Sequence, residues 1–242
     1  MPTDYTTVPL VGGHPALDLV NTVVPREVLP DGSRPLDYLT SPAALLTWAG
    51  RAAWADPAES ELVAQAWRRH PGTGAAALDA VRDLRESLYI TLLEASALVP
   101  QDPGIATAAR QRLHDRWVAA ASRSALRSGH EAAAPGPAVP GPPRLEIGTA
   151  PELQVQDRAA AAAMELLLTA DYERLRRCPP EEGGCGWLVL DQSRNGSRRW
   201  CQMADCGSSA KSRRLTERRR VRRSGVTGDG ATNLPRPATG IS

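Results

Sequence analysis

All four cysteines of the chain lie within 29 residues: Cys178, Cys185, Cys201 and Cys206. The intervals between them are six, fifteen and four residues. Two pairs of thiolates, each supplied by a turn, can occupy the four corners of a tetrahedral zinc site, and the longest interval allows a hairpin that brings the pairs together. Four sulfur ligands leave no open coordination position, so the pattern predicts one structural Zn2+ ion and not a catalytic one.

Other roles for a cysteine cluster stay open, namely two disulfides, an iron–sulfur cluster, a redox pair or four buried thiols. Disulfides persist in oxidising compartments, and nothing in the sequence indicates one. A nucleophilic cysteine usually needs a histidine partner, but no histidine follows His130. The arginine-rich surroundings are atypical of buried free thiols, and zinc is therefore the favoured interpretation.

The segments around the cysteines predict a hairpin followed by a helix. Residues 186–190 are predicted to form a strand, Asn195-Gly196 a turn, and residues 197–203 the return strand. A helix is predicted to begin near Ser208 and to continue through Arg218. The two tryptophans of this region are expected to pack against the metal site or the rest of the protein: Trp187 and Trp200.

The charge of the chain is unevenly distributed. Residues 172–223 contain 14 basic and 6 acidic side chains, a net charge of +8, whereas the whole chain carries +2. Such a basic segment favours an anionic partner, most often DNA, although a solvated basic helix is the alternative. Most of these side chains would contact phosphates without reading sequence. The candidate nucleic-acid contacts are Arg198, Arg199, Lys211, Arg213, Arg214, Arg218 and Arg222.

The upstream region is predicted to be mostly helical. Helices are expected from Pro15, from Pro42, over 57–69, over about 78–98 and 105–126, and from Asp157 through Leu175. Residues 133–143 are rich in proline, glycine and alanine and predict a connector without helix or strand. Short strands are expected at 144–147 and 153–155. The predicted fold class is mostly α with a few short β-strands.

The predicted organisation has three parts. Residues 1–177 would form a mostly helical domain that includes the connector at 133–143. Residues 178–223 would form the zinc-bound hairpin and basic helix. Residues 224–242, rich in glycine, threonine and proline, are predicted to be a disordered tail.

His14, Asp18 and Asn21 are the remaining candidate site residues. They could line a small-molecule pocket, or they could cap and fix the turn in which they lie. No phosphate-binding loop, Ser/His/Asp set or carboxylate pair is recognisable, so the protein is not expected to be an enzyme. No apolar run reaches the ~18 residues of a membrane helix. The start of the chain lacks a secretory pattern, so a soluble, cytoplasmic protein is expected.

Two stretches of the sequence resemble known families. Residues 185–207, CGWLVLDQSRNGSRRWCQMADCG, resemble the CGNR zinc-finger family of bacterial transcription regulators. Residues 12–22, GGHPALDLVNT, and residues 81–89, VRDLRESLY, resemble the ABATE-type domain that precedes that finger. The name-giving Cys-Gly-Asn-Arg is here Cys206-Gly207-Ser208-Ser209. The loop between Cys178 and Cys185 is longer than is usual in the family.

The resemblance implies a zinc-binding, DNA-binding module behind a helical domain, with Cys178, Cys185, Cys201 and Cys206 as the metal ligands. The expected function is that of a zinc-dependent transcription regulator. Its N-terminal domain would bind a small-molecule effector or mediate homodimerisation. The alternative is a zinc-stapled protein-interaction module without sequence-specific DNA binding.

Overall fold

The computed structural model of the protein describes residues 8–27, 34–131 and 139–226. For residues 129–131, 139–140, 217 and 222–226 it describes the backbone alone. The helices are α1 (Pro15–Val20), α2 (Pro42–Arg51), α3 (Pro57–Arg69), α4 (Thr73–Ala95), α5 (Pro103–Ser122), α6 (Gln154–Thr169) and α7 (Ser208–Val226). The strands form antiparallel pairs: β1 (Val23–Val24) with β2 (Leu36–Asp37), β3 (Ala125–Glu131) with β4 (Val139–Glu146), and β5 (Leu175–Arg177) with β6 (Leu188–Leu190). The predicted fold class is confirmed.

Local capping determines where the early helices begin. The Ser41 hydroxyl accepts a hydrogen bond from the Ala44 amide at the start of α2 (3.1 Å). At the start of α3, Asp56 and Glu59 form a reciprocal capping box. A proline occupies the first helical position of α1, α2 and α3, where its missing N–H costs no hydrogen bond. The predicted starts at Pro15, Pro42 and Pro57 are therefore confirmed.

Helix α4 is the centre of the hydrophobic core. Its leucines Leu84, Leu88 and Leu92 are buried, and α1, α2, α5 and α6 all contact the helix. The predicted apolar face of α4 is therefore confirmed up to Leu92, beyond which the helix ends at Ala95. The fully buried Trp48 of α2 packs edge-on against Trp54, with ring centroids 4.8 Å apart.

Three predictions for the middle of the chain are wrong. Residues 139–143 of the predicted connector belong to strand β4, which pairs with β3; residues 132–138 lie outside the described residues. Prolines are tolerated there because each strand of a two-stranded ribbon has an unpaired edge. The predicted strand at 153–155 is instead the start of α6. Asp157 does not cap that helix: it is buried within it and accepts a hydrogen bond from Arg123 (3.0 Å).

The hairpin near the cysteines differs from the predicted one. Strand β6 is the second half of the predicted strand 186–190, but its partner is β5, which precedes Cys178. The predicted return strand at 197–203 is wrong, and Leu175 lies in β5 and not in a helix. The carboxylate of Asp191 determines the following turn by accepting hydrogen bonds from the amides of Ser193 (2.8 Å) and Arg198 (2.7 Å).

The end of the module is close to the prediction. Helix α7 begins at Ser208 as expected, and it continues to Val226, past the predicted module boundary at 223. The remainder of the predicted disordered tail, residues 227–242, lies outside the described residues. Within the described ranges, no helix combines the length and the apolar character needed to cross a membrane.

Candidate metal centre and nucleic-acid interface

The four cysteines converge on one point. Cys178 follows β5, Cys185 precedes β6, and Cys206 lies in the helical turn Met203–Gly207 that leads into α7. All four Sγ atoms lie within 4.8 Å of one another. The Sγ atom of Cys201 is 3.4 Å from that of Cys185 and 3.5 Å from that of Cys206. A tetrahedral zinc–thiolate site has sulfur–sulfur edges of about 3.8 Å, so the cluster has the size of a metal site.

The spacing of the sulfur atoms also bears on the alternatives. A disulfide requires a sulfur–sulfur distance of about 2 Å, whereas all four cysteines are free thiols here. Cys178, Cys185 and Cys201 are buried and Cys206 is half-buried. The cluster is therefore a closed, mostly buried set of four sulfur donors that can hold a metal ion.

The four thiols of the cluster influence one another's protonation. Hydrogen bonds from the other thiols, first from Cys185, lower the pKa of Cys178. The hydrogen bond with Cys178 in turn raises the pKa of Cys185. Some sulfur atoms of the cluster therefore favour the thiolate form, while others keep their protons. Four thiolates at these distances would repel one another strongly, and a bound divalent cation offsets that repulsion.

The loop between the first two cysteines is shaped to let the sulfur atoms approach. The amides of Glu182 and Gly184 donate hydrogen bonds to the carbonyl of Pro179 (3.2 and 2.8 Å). A Cβ atom at Gly184 would lie 2.7 Å from the Sγ atom of Cys178. Glycine is therefore required there, because any side chain would push the first ligand out of the cluster.

The segment from β5 to the start of α7, here called the cysteine module, packs against residues 11–26. The Asn21 side chain is fully buried, and its amide nitrogen donates to the Leu188 carbonyl (2.8 Å). Its amide oxygen accepts from the Leu188 amide (3.0 Å). The Leu190 amide donates to the Gly12 carbonyl (2.8 Å). Asn21 thus pairs with β6 as a neighbouring strand would.

A second set of contacts joins the module to β1 and α4. The indole nitrogen of the buried Trp187 donates to the Val23 carbonyl (2.7 Å), and the Arg26 amide donates to the Cys185 carbonyl (2.8 Å). The Arg26 guanidinium lies over the Tyr89 ring, 4.3 Å from its centroid. The Tyr89 hydroxyl in turn donates to the Gly186 carbonyl (3.4 Å). The expected packing of Trp187 against the rest of the protein is confirmed.

These contacts explain the N-terminal candidates. His14 caps α1, its Nδ1 atom accepting from the Ala16 amide (3.1 Å), and Asp18 accepts from the Gly12 amide (2.8 Å). Burial lowers the pKa of His14 and raises that of Asp18. With Asn21 bound to Leu188, all three side chains have polar contacts with backbone. The geometry favours the interpretation that they fix the turn, and it adds that this turn receives the cysteine module.

The predicted nucleic-acid contacts fall into three groups. Arg198 lies inside the module: its guanidinium donates to the carbonyls of Val11 (3.0 Å), Trp200 (3.2 Å) and Cys201 (2.5 Å). Arg199 and Arg214 are exposed and form ion pairs with the same carboxylate, that of Glu182. The third group consists of exposed side chains along α7: Lys211, Arg213 and Arg218. The side chain of Arg222 lies outside the described residues.

Arg198 is therefore expected to stabilise the folded module and not to contact DNA. We predict that Arg198→Ala lowers the free energy of unfolding by about 1–3 kcal/mol, because three partly buried carbonyl groups lose their donor. Urea unfolding, followed by tryptophan fluorescence, measures the change. Arg194→Ala is the matched control, since Arg194 is exposed in the same turn. An Arg198→Ala protein as stable as wild type, with weaker DNA binding, would show instead that Arg198 is a nucleic-acid contact.

Three features of the site were not predicted from the sequence. They are the role of Arg26 and Tyr89 in docking, the pairing partner of β6, and the ion pairs of Glu182. For Tyr89 a signal was present in the recognised stretch 81–89, whereas Arg26 lies outside both recognised stretches and no sequence signal identified it. The signal for the last was a pair of acidic residues in the unusually long loop between Cys178 and Cys185.

The comparison with known proteins agrees with this architecture. Residues 13–170 match the ABATE family model, described as "Putative stress-induced transcription regulator". Residues 174–219 match the model of the CGNR zinc finger. The second match covers β5, β6, all four cysteines and the first half of α7. No curated protein matches the chain.

Proposed function

The chain belongs to the ABATE family, and on that premise we propose that it is a non-enzymatic, cytoplasmic transcription regulator that binds DNA through a zinc-organised C-terminal module. The observation that carries the proposal is the high positive charge and the exposure of α7. Residues 208–226 contain eight basic side chains and one acidic side chain. Of the α7 side chains that the structure describes, Ala210 is buried and the others are exposed.

A helix whose surface is mostly charged has little apolar surface to bury against its own protein. Helix α7 is held at its first turn, where Ala210 is buried and the turn Met203–Gly207 connects it to the cysteines. The rest of the helix extends a dense positive charge into solvent. The phosphate backbone of duplex DNA is the partner that matches such a charge, since releasing its counterions favours binding.

Zinc is the proposed metal. Four sulfur donors at tetrahedral spacing suit zinc or an iron–sulfur cluster, and the match to a zinc-finger model favours zinc. When bound, the ion would be held by Cys178, Cys185, Cys201 and Cys206 and would supply folding free energy, with no open position for catalysis.

The N-terminal domain is proposed to receive a signal or to mediate homodimerisation. A cavity of about 530 Å³ supports the first role. It opens among the end of α2, α5 and α6 and is lined mainly by apolar side chains, among them Trp54, Trp117 and Leu168. A small, largely apolar effector is the ligand that such a lining would accept.

The second candidate function is a protein-interaction module without sequence-specific DNA binding. It is favoured by the extensive contacts of the module with residues 11–26. Through these contacts the metal site would hold two parts of one protein together. The substitution of Ser208 and Ser209 for the Asn and Arg of the family motif also favours it, since two polar groups at the start of α7 are changed.

A charge-neutralised variant of α7 distinguishes the two functions. We expect Arg213→Gln combined with Arg218→Gln to weaken binding to duplex DNA of any sequence. The slope of log K against log salt concentration should become shallower by about 2, close to one unit for each lost phosphate contact. Fluorescence anisotropy with a labelled duplex, titrated at several salt concentrations, gives both quantities.

The matched control is Arg68→Gln combined with Arg69→Gln, which removes the same charge from the exposed end of α3. It should leave the slope unchanged. If the wild-type protein binds no DNA at low salt, or if the α7 variant binds as wild type does, the DNA-binding proposal fails and the protein-interaction function is favoured.

A further inference from the structure

The loop between Cys178 and Cys185 carries a carboxylate that joins two arginines from different elements. One oxygen atom of Glu182 pairs with Arg199 and the other with Arg214 of α7. The Glu182 side chain is 24% exposed, whereas those of Arg199 and Arg214 are 54% and 58% exposed. The carboxylate is thus the inner partner, and the two guanidinium groups face solvent around it.

The loop also contacts a third basic residue of α7. The guanidinium of Arg213 lies so close to Gly183 that a Cβ atom at that position would be 2.6 Å from its Nη1 atom. The first turns of α7 are therefore covered on one side by the acidic loop. Three of the seven predicted nucleic-acid contacts, namely Arg199, Arg213 and Arg214, lie against this loop.

A carboxylate and a phosphodiester compete for the same guanidinium donors. Both are oxyanions that accept hydrogen bonds from the planar fork of arginine. A DNA phosphate that approached Arg199 and Arg214 would meet the negative charge of Glu182 between them. To bind there, the phosphate would have to displace the Glu182 carboxylate from the two arginines. Otherwise the phosphate and the carboxylate would share the arginines and repel each other.

We propose that Glu182 is an internal competitor of the DNA backbone that lowers the affinity of the module by occupying Arg199 and Arg214. The proposal rests on the DNA-binding function proposed above. It assigns a specific role to the long loop between the first two cysteines. Nonspecific binding, which depends on phosphate contacts, would be reduced most, so the loop would favour sites at which additional base contacts are made.

The test is Glu182→Gln in the full-length, metal-loaded protein. Glutamine keeps the size of the side chain and removes its charge. We expect the affinity for a generic labelled duplex at low salt to rise about tenfold, and the slope of log K against log salt to steepen by about 1 to 2 as the two arginines gain phosphate contacts. Metal content and circular dichroism should match wild type.

Glu181→Gln is the matched control. It removes the same charge from the adjacent residue, which makes no ion pair with any side chain that the structure describes. It should raise the affinity much less, through the change in net charge alone.

Two results would overturn the inference while leaving DNA binding intact. In one, the Glu182 variant binds no more tightly than the Glu181 variant. In the other it binds more weakly than wild type, which would make Glu182 a residue that positions the arginines. If neither wild type nor the two variants binds DNA, the proposed function fails and the inference fails with it. Binding by the Glu182 variant alone would support both.

Discussion

Removal of the metal ion is expected to unfold the C-terminal module, from Leu175 to the first turns of α7, while α4 and its neighbours stay folded. The module is held by four cysteine sulfurs and a hairpin of three residues per strand, too small a structure to be stable alone. In small zinc domains the metal contributes about 10–16 kcal/mol, which is folding free energy. Without the metal, the four cysteine side chains no longer hold β5, β6 and the start of α7 together.

Hydrogen exchange on protein treated with a chelator measures this expected result. Amides of β5 and β6 should lose protection, and Trp187 fluorescence should shift as its ring leaves the β1 carbonyl. Re-addition of zinc is the control and should restore both signals. Cys201→Ser should mimic chelation and should not respond to zinc. Full protection in metal-free, reduced protein would show that the cluster is a set of buried thiols.

Asn21→Ala is expected to be the most damaging substitution outside the cysteines. Asn21 is fully buried and satisfies both backbone groups of Leu188. Alanine would leave one N–H and one C=O group unpaired in the protein interior, at about 1–3 kcal/mol each. The expected loss in the free energy of unfolding is therefore about 2–6 kcal/mol.

Chemical denaturation of the metal-loaded protein gives this number. Asn195→Ala serves as the control, because Asn195 is exposed in the turn after β6 and should change stability by less than about 0.5 kcal/mol. The Asn21 variant should also bind metal more weakly, since the docked module is the form that holds the ion. Equal stability of the two variants would contradict the role assigned to Asn21.

Local signals were sufficient to predict much of the fold. Ser41-Pro42 and Asp56-Pro57 define helix starts through hydrogen bonds within one turn, and the leucines of α4 define its buried face by their spacing. The four cysteines could be recognised as one site because their chemistry is specific and their sequence separation is short. Each of these signals acts over a few residues.

The features that the sequence did not predict depend on contacts between residues that are far apart in the sequence. A turn does form at Asn195-Gly196, but no hairpin is built on it. Strand β6 pairs instead with β5, across the loop between Cys178 and Cys185. Arg198 lies in a basic stretch typical of DNA contacts, yet its guanidinium donates to the carbonyl groups of Val11 and Cys201. Asn21 contacts a strand 167 residues away. No local pattern identifies such a partner.

The decisive measurement is the affinity of one preparation for duplex DNA at low salt, before and after removal of its metal. We expect the metal-loaded protein to bind and its binding to fall steeply with salt. Chelation should weaken binding at least tenfold, because α7 loses its anchor at the cysteine cluster. Zinc should restore binding. Equal affinity with and without metal, or no binding in either state, would contradict the claim that the metal centre presents α7 to DNA.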